Sequence, residues 1–102
     1  MSGEAGGEES KIQDVTSLDT YSLIGLFIGL LSSKAWETMG LRVKPGTDKV
    51  EKDFDQARIA IDTVGFLVQK LKSRIPEAER SRLESMVEDL KLNFVRASQQ
   101  TS

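Results

Sequence analysis

Two groups of side chains have residue types and spacings that could do chemistry. Asp62 lies one helical turn after Arg58, at the edge of an apolar stripe, and a carboxylate so placed can act as a general acid or base when burial raises its pKa. The plainer reading is an ion pair between Arg58 and Asp62, four residues apart, contributing at most about 0.5 kcal/mol. That reading is preferred, because no second catalytic group is near in sequence. Lys70, Lys72, Arg74, Arg80 and Arg82 concentrate positive charge around one bend, as a phosphate-binding patch does. Glu77 and Glu79 interrupt it, and the sequence pI is about 5.2. Cations at the carbonyl end of a helix are already favoured there by about 0.3 to 1 kcal/mol each. Nucleic acid is therefore not the expected partner.

Composition narrows the chemistry further. The 102 residues include no histidine and no cysteine, which removes disulfides, thiolate nucleophiles, imidazole metal sites and histidine acid/base catalysis together. No catalytic, metal-binding or cofactor-binding constellation is expected, and the chain reads as a non-enzyme. The net charge is -2, yet the first 17 residues hold Glu4, Glu8, Glu9 and Asp14 against Lys11, a net -3 that leaves +1 for the rest. This acidic, Gly-rich start lacks the basic and apolar regions of a secretory signal, so a cytoplasmic location is expected. Too few apolar residues occur in 1–17 to offset the cost of ordering, and a disordered tail is expected there.

The elements that must position any site are helical. Residues 18–99 are expected to form a single all-α domain of three helices, at about 19–39, 53–74 and 76–98. The first runs from Asp19, a suitable N-cap, to Gly40, which suits the left-handed position after a helix end. Its segment Leu23-Ile24-Gly25-Leu26-Phe27-Ile28-Gly29-Leu30-Leu31 has no polar side chain. Wound as a helix it is apolar around most of its circumference, not along one stripe. The uncharged run Thr20 to Ser33 is 14 residues long, short of the roughly 20 that a spanning helix needs, so a buried central helix is expected.

Arg42 to Lys52 reads as a polar connector with a turn at Pro45-Gly46. Asp53 with Gln56 resembles a capping box opening the second helix. There Phe54, Ala57, Ile61, Val64, Val68, Leu71 and Ile75 recur at spacings of three and four, marking one core seam. Pro76 suits the first position of the third helix, whose buried stripe is Leu83, Met86, Val87, Leu90, Phe94 and Ala97. The last two helices form a hairpin against which the first packs. No strand pattern or internal repeat is read.

Taken together, Ser32 to Leu41 (SSKAWETMGL), the Pro-Gly-Thr connector, Ala57-Arg58-x-x-Ile61-Asp62 and Leu90-Lys91-Leu92-x-x-Val95 resemble a family of short bacterial helical proteins known only as a domain of unknown function. The family pattern runs S-x-A-W/L-x-x-L-G, P-x-T-G, A-R-x-x-I-D and L-L-x-x-L-x-x-L-R, and the resemblance covers about residues 21–96. It departs where Asp48 replaces Gly after Thr47, and where Lys72-Ser73-Arg74 replaces a Gly/Asn-rich turn. The resemblance implies a bacterial, soluble, all-helical protein and no particular activity.

Two surfaces carry the functional expectation. Gly25, Gly29, Ser32 and Trp36 form a small-residue strip with an aromatic neighbour. Because each helix-interior glycine costs about 1 kcal/mol relative to Ala, the strip asks for a close helix approach, within the protomer or at a homodimer seam. Ile59, Phe66, Leu92 and Val95 project off the core seams as a secondary contact patch. Lys34 falls on the side of Phe27 and Leu30, where it marks the end of the apolar stretch. The expected function is a self-associating interaction or adaptor module, a homodimer with an unidentified protein partner. The alternative is peripheral membrane attachment through the first helix.

Overall fold

The computed structural model describes residues 15–101, and the expected disordered tail over 1–14 lies outside them. The expected all-helical character holds in outline, since 74% of the structure is helical. The architecture is richer than three helices. Residues 15–17 are already helical, against the disorder expected for them. Then follow α1 (Thr20–Thr38), β1 (Met39–Val43), β2 (Val50–Lys52), α2 (Phe54–Leu71) and α3 (Glu77–Thr101).

Helix α1 begins where the sequence places it. The Asp19 carboxylate accepts from the Ser22 amide at 2.8 Å, satisfying one of the first-turn donors. At the other end Thr38 turns its hydroxyl back to donate to the Lys34 carbonyl at 2.8 Å, and Gly40 follows at φ +81°. The chain does not then enter an irregular connector, as expected, but a two-stranded antiparallel sheet. Met39 pairs with Lys52 and Val43 with Val50, with an irregular register between. β1 advances four residues for two on β2, so it is bulged. Gly40 is required there, because a Cβ would stand 2.7 Å from the Lys52 Cγ. The tip is the turn read from Pro45-Gly46: Thr47 N–H donates to the Lys44 carbonyl at 3.1 Å, and Gly46 has φ +77°, the left-handed third position of a type II turn.

The alternation Leu41-Arg42-Val43-Lys44 and Lys49-Val50-Glu51 around that Pro-Gly is the strand signal the connector reading passed over. Its charge-rich composition, Arg42, Lys44, Lys49 and Lys52 with Asp48 and Glu51, suggested a solvated loop. Backbone pairing needs only alternation and a turn, and both are present.

Asp53 opens α2 by accepting from the Gln56 amide at 3.1 Å. The Gln56 side chain donates to the other Asp53 oxygen at 2.9 Å, whereas a reciprocal box has it accept from the Asp53 backbone N–H. That backbone N–H instead donates to the Thr38 carbonyl at 2.8 Å, tying the end of α1 to the start of α2. Helix α2 stops at Leu71, three residues before the expected Arg74, because Arg74 N–H closes a turn onto the Leu71 carbonyl at 2.7 Å. Pro76 takes the cap position, one residue earlier than expected, its carbonyl accepting from Arg80 N–H at 2.9 Å. Helix α3 continues past the expected end at 98.

The two core seams are as read. Ala57, Ile61, Val64, Val68 and Leu71 of α2 are buried, as are Leu83, Val87, Leu90 and Ala97 of α3, with Phe54, Ile75, Met86 and Phe94 packed around them. α1 runs antiparallel to α2, since Thr38 meets Asp53 at one end and Arg74 lies 5.5 Å from the Tyr21 ring centroid at the other. α3 folds back along α2, with the Phe54 and Phe94 rings edge to face at 5.9 Å.

Two outcomes follow. Gly40→Ala is expected to cost about 1–2 kcal/mol, lowering Tm by roughly 5–10 °C in a thermal melt followed by circular dichroism. The Ser22 backbone N–H holds the Asp19 carboxyl below its ordinary value. The folded pKa is thus below the unfolded one, so the cap is fully effective above the unfolded value and is lost as pH falls through the folded one. The Ser22 amide resonance is expected to titrate at a pH below the ordinary aspartate pKa, and Asp19→Asn to abolish that titration.

Candidate self-association face

The residues singled out for chemistry do not form a catalytic group. Asp62 is exposed, and among the described residues no ion pair joins it to Arg58. The Arg58 guanidinium instead stands 5.8 Å from the Phe94 ring centroid. The aromatic pair at the start of α2 offers a planar cation a face, which sequence spacing cannot reveal. The basic bend is also largely engaged. Arg80 pairs with Glu77 at 3.7 Å and Arg82 with Glu79 at 3.6 Å, Lys70 lies 5.1 Å from the Phe66 centroid, and Arg74 covers Tyr21. Among the described residues no group of three or more His, Cys, Asp or Glu is placed to hold a metal ion.

α1 distributes its apolar residues over three sides. One side, centred on Ile28 and Ala35, is buried in the core. A second carries the glycines. Gly25 and Gly29 are exposed, and a Cβ at either would meet nothing within 4 Å, so among the described residues they serve no close crossing. Ser32, expected beside them on the strip, is turned inward, buried and donating to the Met86 sulfur at 3.6 Å. Trp36 is half-buried and packs against the core. The third side carries Phe27 and Leu30, which remain 45% and 58% exposed. Lys34 follows on that side and holds the Glu37 carboxylate at 2.9 Å. Glu37 is buried, a burial that its place in a polar stretch does not announce.

The secondary patch is divided. Ile59 and Phe66 are 68% and 60% exposed, two turns apart on one outward ridge of α2. Ile59 borders a small cleft with Leu31 and Lys34 of α1, so tertiary packing sets it beside the Phe27–Leu30 side. Leu92 and Val95 project from α3 and are less exposed, 48% each, on a different helix from the rest.

The fold therefore defines a small, mostly helical protein with one bulged hairpin and with large apolar residues left exposed on both α1 and α2. Residues 21–96 match the family described as a domain of unknown function, DUF1844, and the chain belongs to that family. No curated protein and no solved structure matches it. Among the described residues no helix is long and apolar enough to cross a membrane.

The open glycine side makes an expectation. Gly29→Ala should stabilise the protomer by up to about 1 kcal/mol through helix propensity alone, as measured by urea unfolding. A loss of stability would instead place a second backbone against that side.

Proposed function

We propose that this chain is a non-catalytic bacterial interaction module, cytoplasmic, that self-associates through the outward face of α1 and α2. The observation that carries the reading is the exposure of Phe27 and Leu30 within an all-apolar helical segment, with Ile59 of α2 also exposed beside Leu31 and Lys34 of α1. Large apolar side chains that stay exposed and adjacent mark a surface covered by something else. The molecule measures only 19 Å along its shortest axis, about two helix diameters, so its own helices cannot wrap α1. A second copy is the simplest cover, since a two-fold axis sets the same patch against itself. The absence of histidine and cysteine supports the non-catalytic part, because no side chain then has an ordinary pKa near neutrality.

Light scattering after size exclusion at tens of micromolar tests this. The expected mass is twice 11.3 kDa. Phe27→Glu and Leu30→Glu are each expected to give a monomer with unchanged helicity, since both positions face outward in the protomer. A wild-type monomer throughout that range removes the reading, and co-sedimentation of that monomer with anionic vesicles would favour the membrane surface as the cover.

A further inference from the structure

The bend between α2 and α3 carries more positive charge than its own carboxylates balance. Residues 70–82 hold Lys70, Lys72, Arg74, Arg80 and Arg82 against Glu77 and Glu79, a net +3. The two glutamates are taken up by Arg80 and Arg82. Among the described residues Lys70, Lys72 and Arg74 are in no ion pair, and all three are exposed. Lys70 and Arg74 each lie against an aromatic ring, a contact that orients a cation without neutralising it. Like charges so crowded repel one another, and the surface favours an anionic occupant.

Position decides which anion that is. Arg74 stands 5.5 Å from the ring centroid of Tyr21, which lies in the first turn of α1, so the bend sits where the chain enters that helix. The 14 residues before Val15 contain Glu4, Glu8, Glu9 and Asp14 against Lys11, a net -3 that equals the charge of the bend with opposite sign. A chain of that length spans at most about 50 Å, ample for the short distance from the start of α1 to the bend. The hairpin also carries cations, Arg42, Lys44, Lys49 and Lys52 against Asp48 and Glu51, a net +2. It stands at the other end of α1, about 28 Å away by helix rise, and a tethered segment is most concentrated near its attachment. We infer that the occupant of the basic bend is the acidic segment 4–14 of the same chain, its carboxylates against Lys70, Lys72 and Arg74. An external polyanion then has to displace that segment to reach the bend. The contact is made within one protomer, so it stands or falls independently of the self-association reading.

Because the chain has no cysteine, a nitroxide attached through Gly7→Cys reports where the segment goes. In the full-length, isotope-labelled protein at low salt, the amide signals of residues 70–82 are expected to weaken severalfold relative to the reduced label, while those of the hairpin, 41–50, keep their intensity. Salt of about 1 M, which shortens the screening length to about 3 Å, is expected to restore most of the lost signal. Lys70→Gln with Lys72→Gln, both at exposed positions, is expected to do the same, as is Glu4→Gln with Glu8→Gln and Glu9→Gln, which leaves the folded region untouched. Weakening at the bend that neither salt nor these substitutions alter reflects tethering alone and overturns the inference, as does stronger weakening in the hairpin. With the nitroxide on one population and the isotope on another, no weakening is expected at the bend. Its appearance there assigns the segment to a second copy and overturns the intramolecular contact.

Discussion

The structure depends on one backbone hydrogen bond, from the Asp53 N–H to the Thr38 carbonyl at 2.8 Å. It satisfies one of the acceptors that the end of α1 would leave open, and it does so with the residue whose side chain caps α2. The last turn of one helix is thereby fixed to the first turn of the next, although the chain between them runs out and back through a hairpin. Antiparallel packing of α1 on α2 follows, and with it the burial of Ile28 and Ala35 against the α2 seam. A two-stranded hairpin is marginal by itself. Here both strand ends are anchored to helices, which supplies the order that its short ladder cannot.

Once α1 is fixed along α2, its apolar girth becomes a geometric problem. A helix apolar on all sides needs neighbours on all sides, and α3, which runs along α2, reaches α1 at Ser32 through Met86. The side holding Phe27 and Leu30 is left to solvent. Those residues therefore add nothing to the core of the protomer. In the self-association reading, the residue types that make α1 hard to bury alone are those that bring two copies together.

Much of the fold was legible in the sequence. The 3–4 spacing along α2 and α3 identified their buried seams nearly residue by residue, because a helix buried on one face writes that face into its period. Asp19 and Asp53 identified the helix starts because a cap acts within a few residues of itself. The hairpin was not read, since charges dominate its composition and the bulge at Gly40 breaks a simple alternation. The expected Arg58–Asp62 pair failed because Phe94, thirty-six residues beyond Arg58, brings an aromatic face to the guanidinium. Neither sequence neighbour of Ser32 signals that Met86 will draw it inward.

The sequence alone determined the helices, their caps, their buried faces, the Pro-Gly turn and the lack of histidine and cysteine chemistry, all of which act through local spacing or residue type. Only tertiary structure decided which apolar residues of α1 stay outside, that Ile59 stays exposed on α2 while Leu92 and Val95 stand exposed on α3, and that among the described residues no other element closes on Gly25 or Gly29. The reason is that exposure is a property of what packs nearby. A residue's period can say which way it points from its own helix, but not whether another helix arrives there.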